Sequence, residues 1–122
     1  MERRAMPEIL VIEDSALIQK FYMHLLALWG YDVRPAASTV QAVEAIRSGC
    51  VPDAIISDYN LGRGDTGVAA IRAIEGLLGR KVPAVIITGE HPQPLLDTPV
   101  FSKPLPPSHL KEVLADLVGR PA

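Results

Sequence analysis

Cysteine is nearly absent: Cys50 is the single one among 122 residues. One thiol excludes an internal disulfide and fits a reducing compartment. Positive charge is not in surplus either. Lys and Arg number 12 against 14 Asp and Glu, a formal net charge of -2, which excludes a surface built to neutralise a nucleic-acid backbone. No apolar run approaches the ~18 residues a membrane helix needs. The basic start is followed only by Ile9 to Ile12 before Glu13 and Asp14 intervene, too short a run for a signal peptide. Internal repeats, low-complexity tracts and linkers are also missing. What is present is 48% hydrophobic residues, enough to bury the core of one domain. The expectation is a cytoplasmic domain spanning residues 1–122, either free-standing or part of a longer protein.

Glu8-Ile9-Leu10-Val11-Ile12 is a short β-branched run, the mark of a strand covered on both faces. A helix is expected from Ser15 to Leu28, with Ile18, Phe21, Leu25 and Leu28 on its buried face and Gly30 as its stop. Tyr31 to Pro35 reads as a second strand. Ser38-Thr39-Val40-Gln41 has the spacing of a capping box, and Ala42, Val43 and Ile46 form the inner face of a second helix. Asp53 to Ser57 is the third strand, and residues 59–66 read as a polar, glycine-rich loop. Val68, Ile71, Ile74 and Leu78 mark a third helix, closed near Gly79. Ala84 to Thr88 and Val100 to Ser102 supply two more strands. Leu110, Val113, Leu114 and Leu117 mark a final helix. Strands that alternate with helices and carry unbroken apolar runs predict an α/β fold: a parallel sheet with helices on both faces.

Ligands in such sheets bind beyond the carboxyl ends of the strands. Glu13 and Asp14 follow the first strand, Asp58 the third, Thr88 ends the fourth, and Ser102 and Lys103 end the fifth. Three acids, a hydroxyl and an ammonium therefore converge on one rim. Crowded carboxylates raise one another's pKa, and a divalent cation removes that penalty. Oxygen ligands, few from protein and the rest from water, suit Mg2+ better than Ca2+.

These features, VIEDS, IISDYNL, VIITG and FSKP spaced by the βα alternation, resemble the receiver domain of bacterial two-component response regulators from Ile9 to Val118. The resemblance implies a flavodoxin-like, doubly wound sheet of five strands in the order 2-1-3-4-5. It implies that Asp58 is the phosphoacceptor, taking a phosphoryl group from a histidine kinase or a histidine phosphotransfer protein. Mg2+ would be held by Asp14 and Asp58, by the Asn60 carbonyl, and by Glu13 through water. Lys103 and Thr88 would bind phosphoryl oxygens, and the Lys103–Pro104 bond would be cis. The domain would catalyse only its own phosphorylation and dephosphorylation and act on no external substrate. Asn60 and Glu90 resemble the pair found in the chemotaxis receiver, which implies a short-lived signal.

Two departures stand out. Val100 occupies the place where receivers often carry a switch aromatic, and Phe101, one residue later, should face the other side of the sheet. Pro92, Pro94 and Pro99 crowd the Thr88–Lys103 interval, so the fourth helix of the family is expected to be short or absent. A missing fourth helix argues for a monomer. The DYNLGRGDTG run and the KPLPPSHLKEVL tail resemble receivers of hybrid histidine kinases or single-domain relatives. A receiver-like adaptor that binds its partner independently of phosphorylation is the alternative. Gly62 to Gly67 matches G-x-G-x-x-G, but a dinucleotide fingerprint begins at the strand end of the first βα unit, so these are read as turn glycines. His24, His91 and His109 lack metal-ligand spacing, and Trp29 and Tyr31 are read as packing residues.

Overall fold

The computed structural model describes residues 6–89 and 98–118. The chain runs β1 (Glu8–Ile12), α1 (Ala16–Leu28), β2 (Asp32–Ala36), α2 (Thr39–Arg47), β3 (Ala54–Asp58), β4 (Asn60–Gly62), β5 (Asp65–Thr66), α3 (Gly67–Leu78), β6 (Ala84–Thr88), β7 (Val100–Ser102) and α4 (Pro107–Val118). Five strands form one parallel sheet in the order β2-β1-β3-β6-β7. This is the flavodoxin-like order expected, with β6 and β7 as its fourth and fifth strands. The chain reverses its direction of winding between β1 and β3, and the carboxyl ends of those strands flank the crevice where such folds bind ligands.

Side chains of a strand alternate between faces, so each central strand feeds two cores. Leu10, Ile12, Ile55, Ala84 and Ile86 pack with Ala42, Ala45, Ala70, Ile71 and Ile74 of α2 and α3. Ile9, Val11, Ala54, Ile56, Val85 and Ile87 pack with Leu26 of α1 and with Leu110 and Leu114 of α4. Each fully buried aliphatic side chain contributes about 1.5–3 kcal/mol, and this double layer holds the strand ends in place. Lys111 lies 5.9 Å from the Trp29 ring centre and links α4 to α1. Tyr31 is buried in the same core.

The inner face of α1 differs from the expected one. Phe21 and Leu28 are 55% and 73% exposed, whereas Tyr22, Leu25, Leu26 and Trp29 pack on the sheet. The helix is apolar nearly all round, so its periodicity admits two stripes one residue apart, and packing selects the one that carries both rings inward. The 59–66 segment also differs from a plain loop. β4 and β5 pair antiparallel with Gly62 opposite Asp65, and the two residues between them, Arg63 and Gly64, have φ of 53° and 81°. A two-residue turn with positive φ at both positions matches strand twist.

Asp65 fastens this hairpin to α2. Its carboxylate accepts the Thr39 N–H at 2.8 Å, the Thr39 hydroxyl at 2.6 Å and the Thr66 N–H at 3.0 Å. Ser38 caps the same helix through the Gln41 N–H at 3.1 Å, while the Gln41 side chain accepts from Ala37 at 2.9 Å. Burial disfavours the Asp65 charge, but the Thr39 and Thr66 hydrogen bonds outweigh it and hold the carboxyl below its ordinary 3.8. A depressed carboxyl pKa stabilises the fold above the unfolded value and loses that contribution as pH falls through the folded value. Asp65→Ala is therefore expected to lower stability by about 1–2 kcal/mol at pH 7. The gap should close as pH drops below 3.8. Urea melts of both proteins from pH 7 downwards check this.

Candidate functional site

Register assembles the rim. Ile12 lies opposite Ser57, so the next residues, Glu13 and Asp58, emerge side by side. Asp58 lies opposite Ile87, so Thr88 emerges one step further. Thr88 lies opposite Ser102, and the Lys103 N–H donates to the Thr88 carbonyl at 2.7 Å. The Lys103–Pro104 peptide is cis.

One carboxylate oxygen from each of Glu13, Asp14 and Asp58 lies within 4.8 Å of the other two. An octahedral magnesium shell spans about 4.2 Å, so the set fits one ion with some ligands direct and one through water. The Lys103 ammonium donates to Asp58 Oδ2 at 3.0 Å and lies 3.6 Å from Glu13 Oε1. Glu13 is buried, 2% exposed, and its Oε2 accepts the Ser15 N–H at 3.1 Å. Burial pushes the Glu13 carboxyl up; the Ser15 N–H and Lys103 offset part of this, and Asp58 and Asp14 add to the rise. Burial works against the Lys103 charge, but the hydrogen bond to Asp58 and the charge of Glu13 outweigh it and raise its pKa above 10.5. Glu13 and Asp58 thus share one ammonium with Asp14 beside them, a cluster that could hold a hard cation to complete the charge balance.

A shallow cavity of about 270 Å³ opens on the rim, lined by Asp14, Asp58, Asn60, Gly62, Thr88 and Gly89. Thr88 is buried at 1% exposure. Asn60 is exposed on the hairpin, and its side-chain oxygen accepts the Gly62 N–H at 2.9 Å. All six expected site residues therefore meet at one place. A larger groove of about 450 Å³, walled in part by Ile71, Arg72, Val82 and Pro99, holds none of them. Glu90, paired with Asn60 in the expectation of a short-lived signal, lies outside the described residues. So does most of the segment expected to lack a full fourth helix.

The sequence alone did not point to Tyr22. It stands on α1 near the site: burial raises its phenol pKa, the Lys103 charge opposes this, and Glu13 and Asp58 reinforce it. Two aromatics in succession, Phe21 and Tyr22, were the available signal, and the choice of the outer stripe hid it. Val100 is 38% exposed. Phe101 turns to the opposite face, as alternation requires, and meets His109 edge-on with ring centres 5.4 Å apart. The aromatic of β7 is thus bound to α4 and does not face solvent through position 100.

Fold and rim together define a flavodoxin-like domain with an acidic site, able to hold a cation, at its topological switch point. Residues 9–114 match the response regulator receiver domain. The chain belongs to that family, and membership carries a phosphoacceptor role in two-component signalling. Solved structures agree. The N-terminal domain of a response regulator/sensory box/GGDEF 3-domain protein from Carboxydothermus hydrogenoformans is 27% identical, with a TM-score of 0.81 over 91% of this chain and 93% of that one. The Vibrio cholerae chemotaxis protein CheY4 is 27% identical, with a TM-score of 0.81 over 93% and 99%. The receiver domain of Erythrobacter litoralis PhyR is 28% identical, with a TM-score of 0.77 over 93% and 90%. No curated protein sequence matches the chain. Among the described residues, no helix is long and apolar enough to cross a membrane.

Proposed function

We propose that this domain accepts a phosphoryl group on Asp58 in a magnesium-dependent reaction and uses the change to alter protein contacts. The observation that carries this reading is the convergence of three carboxylates within 4.8 Å with Lys103 bonded to one of them. Asp14 and Asp58 would hold Mg2+ with the Asn60 carbonyl, and Glu13 through water. Bound there, the ion would neutralise and orient the phosphoryl oxygens.

The chain's own residues supply the rest. Asp58 is the nucleophile: its oxygen forms a bond to phosphorus as the bond to the donor nitrogen breaks, and the imidazole leaves with its electron pair. Lys103, already aimed at Asp58, pairs with a phosphoryl oxygen. Thr88, one step along the rim, donates its hydroxyl to another. The domain modifies no external substrate. Its donor is a histidine kinase or a histidine phosphotransfer protein. Leu17, exposed at 79%, and Phe21 stand on α1 just after Asp14, and an apolar face beside the rim suits the helix that presents the donor histidine.

Incubation with acetyl phosphate tests this without a partner. One phosphoryl group should add with Mg2+ present and none with the metal chelated, as read by intact mass. No addition, together with no binding of beryllofluoride, would favour a partner-binding adaptor that does not switch.

A further inference from the structure

Glu13 and Asp14 sit on the connection between β1 and α1, and connections move unless something fixes them. Resting on the proposed magnesium-dependent reading, we propose that Gln19 is a positioning residue for this acid pair. Its side-chain nitrogen donates to the Glu13 carbonyl at 3.2 Å and to the Ala36 carbonyl at 3.0 Å. The Glu13 N–H donates to the same Ala36 carbonyl at 2.9 Å. Gln19 is itself anchored, since its backbone N–H donates to the Ser15 carbonyl at 2.9 Å in the first turn of α1. One amide therefore ties together the ends of β1 and β2 and the start of α1.

The Glu13 carbonyl belongs to the peptide plane that joins the two acids. Rotation of that plane swings Asp14 relative to Glu13, and the Gln19 hydrogen bond resists it. An amide suits the task because its two N–H groups serve two carbonyls at once. The Gln19 side chain donates to main-chain carbonyls, so its effect passes through the geometry of Glu13 and Asp14. Groups that orient metal ligands typically contribute about 10–100-fold to metal affinity.

The test compares wild type, Gln19→Met, which keeps length and loses both donors, and Gln19→Arg, which keeps donors. Calorimetric titration with Mg2+ alone should show about tenfold or more weaker binding in Gln19→Met, with recovery in Gln19→Arg. The acetyl phosphate reaction should need correspondingly more Mg2+ for half-saturation, yet reach a similar rate when saturated. A purely structural role would lower melting temperature without moving the Mg2+ requirement. Equal Mg2+ affinity in Gln19→Met and wild type would overturn the assignment and leave the phosphoacceptor reading intact. So would a Gln19→Met protein that does not fold, which would make the residue structural. Wild type that binds no Mg2+ and takes no phosphoryl group would instead overturn the reading of the site, and the assignment with it.

Discussion

Asp58→Asn is expected to abolish phosphoryl uptake, a fall of at least about a thousandfold, the scale seen when a nucleophile is removed. The substitution is nearly isosteric and leaves an oxygen for the Lys103 ammonium, now 3.0 Å from Asp58 Oδ2. The amide cannot supply an anionic oxygen to phosphorus. Neither neighbour can take over. Glu13 is 2% exposed, with one oxygen on the Ser15 N–H and the other 3.6 Å from Lys103, so no face is open to in-line attack. Asp14 is exposed, but the ammonium that would receive the phosphoryl oxygens is paired to Asp58 and Glu13. Intact mass after acetyl phosphate treatment, with a thermal melt to establish folding, reads the result. A folded Asp58→Asn protein that still gains a phosphoryl group would move the acceptor elsewhere.

Gly67→Ala is expected to lower stability by about 3 kcal/mol, near the upper end for overpacking a tight contact. An added Cβ would lie 2.2 Å from the Asp58 carbonyl oxygen and 2.4 Å from the Ser57 hydroxyl. Both are atoms of β3 that cannot step aside: Ser57 is fully buried, and its hydroxyl donates to that same carbonyl at 2.8 Å. The start of α3 would have to back away, stretching the 2.8 Å bond from the Gly67 N–H to the Tyr59 carbonyl. Alanine's better helix propensity returns at most ~1 kcal/mol, so the clash prevails. A melting temperature lower by about 10 °C or more is expected. Phosphorylation should slow as well, since the displaced carbonyl is that of Asp58, the proposed acceptor. An unchanged melting temperature would show that α3 does not abut β3 this closely.

The sheet was legible because strands covered on both faces carry unbroken apolar runs, as Ile9–Ile12 of β1, Ala54–Ile56 of β3 and Ala84–Ile87 of β6 do. Once their ends were located, parallel register required Glu13, Asp58, Thr88 and Lys103 to meet, so the site could be read with the fold. The inner stripe of α1 could not be read, because Phe21 and Tyr22 compete for one position and only packing in the core shared by α1, α4 and the sheet decides between them. The hairpin at Asn60–Thr66 was hidden by its turn, Arg63-Gly64, which lacks the usual asparagine or aspartate before glycine. Asp65 reaches across to Thr39 of α2 and Gln19 to the carbonyls of Glu13 and Ala36, mostly at backbone atoms that every sequence possesses. Such bonds leave no pattern along the chain. The G-x-G-x-x-G string illustrates the converse. Its glycines serve a hairpin turn and a helix pressed against a strand, two local needs that together resemble a cofactor motif.

The most direct measurement is the position of the phosphoryl group itself. Borohydride reduces an aspartyl phosphate to homoserine, and peptide mapping then finds the residue. After treatment with Mg2+ and acetyl phosphate, homoserine is predicted at position 58 and nowhere else. Homoserine at position 14, or phosphate recovered intact on a hydroxyl or imidazole, would contradict the account.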